Sequence, residues 1–220
     1  MLKRLIFFCS FLITTISFAQ TGVAGGFSML KAFGIQGVYP GLHLGVEIPR
    51  DAEVSYFARI TYTLPNYTSD SLLGEAVDPM TNPSVDYKNV KVGMNYLNIE
   101  GGTRYYLGNG YDYGWSAYGG TLLMLSVNTV RLKPDEDFDP SKYQFKGASG
   151  EELPNRGTIV ALSFGLNAGV KNHYSFGMLY FDMSLAYSLF HIPSNELAQT
   201  RASFSPLLFG FNIGFRKDLY

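Results

Sequence analysis

The sequence predicts an all-β protein, an eight-stranded antiparallel up-and-down transmembrane β-barrel, on three observations. Segment after segment alternates apolar and polar residues with a period of two, and the connectors between segments alternate long and short. After an amino-terminal leader, no second apolar stretch reaches the roughly 20 residues a helix needs to cross a bilayer.

The leader comes first. Lys3 and Arg4 precede an apolar run from Leu5 to Ile16, and Ser17-Phe18-Ala19 follows, the three-part layout of a secretory signal. We expect a signal peptide over residues 1–19, cleaved after Ala19, and a barrel domain over 20–220. Cys9 sits inside the leader, so the exported chain holds no cysteine and gains no stability from disulfides. Of the 17 basic residues the leader carries two, against 18 acidic ones, which leaves the exported chain mildly acidic and excludes nucleic acid as a partner.

The strands follow in order. The first, about Gly22 to Ala32, is Gly-rich. In the second, Leu42, Leu44, Val46 and Ile48 alternate with His43, Gly45 and Glu47; in the third, Val54, Tyr56, Ala58, Ile60 and Tyr62 oppose Ser55, Phe57, Arg59 and Thr61. The fourth sets Leu97, Ile99, Thr103, Tyr105 and Leu107 against Asn98, Glu100, Gly102, Arg104 and Tyr106. The fifth, between Tyr113 and Thr129, alternates less cleanly, with Trp115, Leu123, Leu125 and Val127 on its outer face. The last three are the clearest: Val160 to Lys171, Leu179 to Phe190, and Leu207 to Arg216, each with one face free of charge. Such period-2 segments place the apolar set outward and the polar set inward in a membrane barrel.

The expected long connectors are about 33–40, 65–89, 132–156 and 192–201. The short ones are Pro49-Arg50-Asp51-Ala52, Gly108-Asn109-Gly110 and Asn172-His173-Tyr174. A soluble sandwich has no reason to sort its loops this way, whereas an outer-membrane barrel has short periplasmic turns and long external loops. Both termini are therefore expected in the periplasm. Tyr105, Tyr111, Tyr113 and Trp115 at one rim, with Tyr62 and Tyr187 towards the other, read as interfacial girdles. Because hydrocarbon cannot satisfy a free strand edge, the last strand must pair with the first.

The inward faces carry Glu47, Glu100 and Asp182 with Arg59, Arg104 and Arg216, three acids and three bases, while Lys171 falls at a rim. Eight strands enclose a space that side chains just fill, so balanced charges there predict an ion-pair network that plugs the lumen. An ion-selective pore is the alternative.

The external connectors hold the other candidates. Asp135, Asp137 and Asp139 have the spacing of a calcium loop, but Pro140 and Lys146 stand where that motif needs Gly and Glu, so no metal is expected. Asp70-Ser71-Leu72 matches the short O-glycosylation signal of Bacteroidota, which makes Ser71 a candidate acceptor. His191-Ile192-Pro193-Ser194-Asn195 resembles the His-x-Ser-Asn segment of PagL-type lipid A deacylases, with Pro193 as an extra residue between base and nucleophile. His43 and His173 are isolated.

Three further stretches carry a wider resemblance: Ser17-Phe18-Ala19-Gln20, Tyr96-Leu97-Asn98-Ile99-Glu100 with Arg104-Tyr105-Tyr106-Leu107-Gly108, and Gly210-Phe211-Asn212-Ile213-Gly214-Phe215-Arg216. With these the chain resembles the PorT-like, broadly OmpA-like outer-membrane barrels of Bacteroidota. The resemblance implies architecture, a location in the outer membrane among its lipid and lipopolysaccharide, and protein partners in an envelope complex for secretion or uptake. The expected role is structural or accessory, without a cofactor and without catalysis. A small channel or a PagL-like deacylase is the alternative.

Overall fold

The computed structural model describes residues 21–135, 137–147, 149–199 and 203–219. The expected signal peptide, residues 1–19, lies outside them. Among the described residues the chain forms ten strands: β1 (Thr21–Ala32), β2 (Tyr39–Pro49), β3 (Val54–Thr63), β4 (Asn66–Ala76), β5 (Val85–Gly108), β6 (Trp115–Pro134), β7 (Tyr143–Phe145), β8 (Arg156–Tyr174), β9 (Gly177–Pro193) and β10 (Leu207–Leu219). One turn of 3-10 helix spans Glu196–Gln199.

Eight of these strands close a ring in the order β3-β2-β1-β10-β9-β8-β6-β5, and β5 returns to β3. Every pairing is antiparallel. The Gly-rich β1 pairs with β10 along its whole length, from Thr21 opposite Leu219 to Ala32 opposite Leu208. β3 pairs with β5 from Val54 opposite Tyr105 to Tyr62 opposite Leu97. The chain folds as an eight-stranded up-and-down barrel, as the alternation predicts, and closure leaves no free edge in the ring.

Alternation also sets the faces. Outside, Phe27, Leu44, Ile60, Leu123, Leu166, Leu185 and Ile213 stand exposed; inside, Ser28, His43, Arg59, Asn167, Asp182 and Asn212 are buried. An exposed apolar outside around a buried polar inside inverts the pattern of a water-soluble barrel.

Glycines let β5 and β6 approach closely at one level of the wall. A Cβ on Gly102 would lie 2.0 Å from the Thr121 carbonyl oxygen, and one on Gly120 would lie 1.9 Å from that of Thr103. Only glycine fits such an approach. The β5–β6 ladder is interrupted here, between Gly102 opposite Leu122 and Tyr105 opposite Gly119, without a change of register, and the buried Arg104 comes from this gap.

Several expectations are corrected. The connector 65–89 is largely a hairpin of β4 and the first part of β5, paired from Asn66 opposite Met94 to Glu75 opposite Val85. The connector 132–156 holds the end of β6, strand β7, which joins β4 at Gly74–Ala76, and the start of β8. The wall therefore rises well beyond the ring on one side. Its outer face there mixes polar residues such as Ser69, Ser71, Asn89 and Lys91 with the exposed Tyr67, Leu73 and Tyr87, so the regular apolar alternation used to recognise strands fades although the strands continue.

The turn expected at Asn172-His173-Tyr174 is two residues later, because β8 runs through Tyr174 and β9 begins at Gly177. Phe190, which alternation along Leu179 to Phe190 places on the inward face with Asp182, is exposed. β9 carries a bulge: Ser188 opposes Ser163 but Phe190 opposes Leu162, so Leu189 is an extra residue and the strand's faces exchange beyond it.

Candidate functional site

The lumen is built from the inward side chains of all eight ring strands, and its centre is charged. Glu47 comes from β2, Arg59 from β3, Glu100 and Arg104 from β5, Asp182 from β9 and Arg216 from β10. The structure brings these six together in one continuous chain. Arg59 Nη2 donates to Glu100 Oε2 at 2.6 Å, and its Nη1 donates to Asp182 at 3.1 Å. Arg104 Nη2 donates to Asp182 Oδ2 at 2.7 Å while its Nη1 donates to Glu47 Oε2 at 2.6 Å. Arg216 Nη1 lies 3.1 Å from the same Glu47 oxygen, and Arg216 Nε lies 3.1 Å from Asp218 Oδ1. All six central residues are buried, Asp182 at 0% and Glu100 the most exposed at 6%.

Neutral groups add hydrogen bonds to the carboxylates of this chain. Glu47 also accepts from Ser55 Oγ at 2.5 Å and from the Tyr106 hydroxyl. Asn212 Nδ2 donates to Asp182 Oδ1 at 2.7 Å, and Asn212 Oδ1 accepts from Ser28 Oγ at 2.5 Å. Because that bond uses the only Ser28 hydroxyl proton, the 2.8 Å contact between Ser28 Oγ and His43 Nδ1 requires His43 to donate from Nδ1. Its Nε2 then accepts from the Tyr180 hydroxyl at 2.5 Å. The isolated histidine of the sequence is thus a link in a relay that runs from Asp182 to Tyr180.

Aromatic rings fill the space around the guanidinium groups. Arg104 lies 4.5 Å from the Phe57 ring centroid and 4.8 Å from that of Tyr118. Towards the short-turn end, Arg216 lies 3.9 Å from the Tyr111 centroid. Tyr111 was expected in the outer girdle; it is 1% exposed and closes the lumen floor. Lys171, expected at a rim, is buried beneath it and donates to the Tyr111 carbonyl oxygen at 2.7 Å. One tyrosine of this turn therefore engages two cations, one through its ring and one through its backbone. The girdle signal in the sequence missed this because an inward and an outward tyrosine look alike in a turn.

Above the charged layer lies a layer of uncharged polar groups that includes Thr61, Asn98, Ser126, Ser163 and Asn167. The long-loop mouth is then closed by an apolar cap. Leu197 and Ala198 of the 3-10 turn pack with Val130, Leu132, Ile159 and Leu208, and Asn128 holds the cap by donating to the Ser203 carbonyl oxygen at 2.9 Å.

The other candidates are not assembled into a site. His191 stacks on Phe204 with centroids 4.0 Å apart, while Ser194 Oγ accepts from the Thr158 amide at 2.9 Å. The bulge at Leu189 turns His191 towards the mouth. Asp139 accepts from the Ser141 amide at 3.0 Å and from its hydroxyl at 2.6 Å, and these bonds hold its carboxyl below the usual range. Among the described residues no group of three His, Cys, Asp or Glu is arranged for a metal. Ser71 is exposed on β4 opposite Asn89, and its amide donates to Asp70 Oδ1. His173 Nε2 lies 3.9 Å from Asp218 at the short-turn end.

No family model matches the chain, and no curated protein matches it. Solved structures that are similar include the attachment invasion locus protein Ail of Yersinia pestis in complex with the heparin analogue sucrose octasulfate, at 12% identity over 90% of this chain and 98% of that one, with a TM-score of 0.45. Neisserial surface protein A is similar at 9% identity over 91% and 96%, with a TM-score of 0.49. A major outer membrane protein from Thermus thermophilus is similar at 10% identity over 90% and 99%, with a TM-score of 0.45. At these values no residue role passes from them to this chain.

Proposed function

We propose that the protein is an integral outer-membrane barrel with a structural or accessory role, a non-conducting anchor that works through its outward surfaces and the tall wall of β4, β5 and β6. One observation carries this reading: charged and aromatic side chains fill the lumen of a wall whose outside is apolar. The apolar outside suits hydrocarbon, where closed barrels are the β-structure that leaves no backbone group unpaired. The filled lumen argues against passage of ions or solutes. Hydrolysis is disfavoured because His191 and Ser194, the base and nucleophile of a PagL-like site, are engaged elsewhere.

The remaining parts of the reading rest on the sequence: export by a cleaved leader, periplasmic termini, kinship with PorT-like barrels of Bacteroidota, membership of an envelope complex, and Ser71 as a glycan acceptor. The test is planar-bilayer recording of the purified protein, whose folding is first verified by heat-modifiable gel migration. We expect a folded band and a flat current. Steady ion-selective openings would replace the anchor with a channel.

A further inference from the structure

The geometry points to a binding site for the phosphorylated headgroup of a surrounding glycolipid on the outer wall of β5, β6 and β8, formed by Lys91, Arg131, Lys133 and Arg156. The inference rests on the membrane reading above and names a lipid contact within it.

The site follows from reading the outer face of the tall wall row by row. Leu97, Val127, Val160 and Ile192 are aligned across four strands and close the apolar belt. The next outward row is polar but uncharged, with Asn95, Thr129 and Thr158 aligned. The row beyond it places Arg131 directly opposite Arg156. One row further, Lys91 stands directly opposite Lys133. All four are exposed. Successive residues on one face are about 6.6–6.8 Å apart along a strand, so the arginines begin roughly 13 Å beyond Val127, where lipid headgroups meet water.

Like charges directly opposite one another destabilise a strand pair, and here two such pairs are stacked in adjacent rows. Among the described residues the ion pair at this patch is that of Lys91 with Asp135, at 3.4 Å. Among the described residues one paired carboxylate against four cations leaves an excess of positive charge that an anion can neutralise. Arg131 and Arg156, on neighbouring strands about 5 Å apart, suit the bidentate pairing that guanidinium makes with phosphate. Tyr67 lies in the same row: a Cβ on Gly93 would sit 2.4 Å from its ring, so the ring lies flat on the outer wall beside Arg131. An aromatic at this level is suited to a lipid interface. The position one polar row beyond the apolar belt favours a membrane lipid over a soluble polyanion, whose site need not follow the bilayer plane.

The test uses the full-length protein in nanodiscs of zwitterionic phospholipid, with folding verified by heat-modifiable migration. Bisphosphorylated lipid A is titrated and its retention read by native mass spectrometry, with dephosphorylated lipid A, inorganic phosphate and a sulfated oligosaccharide as parallel arms. We expect binding of the bisphosphorylated lipid, and affinity at least about tenfold weaker in Arg131→Gln/Arg156→Gln, since each lost charge-assisted pair costs that much or more. Arg50→Gln/Lys217→Gln, at the opposite end of the barrel, serves as control and should bind as the unaltered protein does. Equal binding of the dephosphorylated lipid, an unchanged affinity in the arginine variant, or competition by inorganic phosphate or the oligosaccharide at equal concentration would overturn the site. A chain that failed to insert into nanodiscs would overturn the membrane reading along with it; one that inserted without preferring the phosphorylated lipid would overturn the site alone.

Discussion

At the scale of single residues, Asp182 is the keystone of the lumen. It accepts from Arg59, Arg104 and Asn212 at once, and both guanidinium groups are buried with it. Removing one member of a buried ion pair costs about 3–5 kcal/mol, more than the pair contributes over an apolar replacement of the same shape. Asp182→Asn keeps the volume and removes the charge, so we expect a loss of that order in equilibrium urea unfolding from liposomes. Ser28→Ala, two bonds further along the same relay, should lose less, about 1–3 kcal/mol, because it leaves only neutral groups unpaired. The residues of this network were legible in the sequence because charge inside an alternating strand has one place to go. Their partners were not, since pairing crosses the barrel between strands distant in the chain, as Arg59 and Asp182 do.

At the scale of elements, close backbone approach and register decide what each strand can present. The close approach of β5 and β6 depends on Gly102 and Gly120, whose missing Cβ atoms leave room for the carbonyl oxygens of Thr121 and Thr103. Gly120→Val forces the strands apart beside Arg104. We expect a sharply reduced yield of the heat-modifiable folded form on refolding into detergent, whereas Leu123→Val on the same strand, facing outward, should fold normally. The period-2 pattern revealed the ring strands because one face had to be apolar. It missed β4 and the outer parts of β5 and β6 because their outer residues, such as Ser69, Lys91 and Lys133, have no such requirement. It also misassigned Phe190, because one additional residue at Leu189 exchanges inside and outside without leaving a mark in composition.

At the scale of the whole molecule, the arrangement of long and short connectors predicts an orientation, with the tall wall outside the cell and the short turns in the periplasm. Met80 is 91% exposed at the tip of the β4–β5 hairpin, whereas Asp51 lies in the short β2–β3 turn. In intact cells a membrane-impermeant maleimide should label Met80→Cys and leave Asp51→Cys unlabelled until the outer membrane is permeabilised; the reverse pattern would invert the orientation. The loop-end cap was not legible, since Leu197 and Ala198 are a short apolar step in a connector and only the fold brings them over the mouth. The tall wall also removes the rotational equivalence that a bare cylinder would have. A neighbour approaching from the side of β1 and β2 meets a rim near the bilayer surface, while one approaching from β5, β6 and β8 meets protein that continues beyond it. The molecule therefore has a front and a back in the plane of the membrane, and lateral contacts on its two sides differ in reach before any side chain is compared.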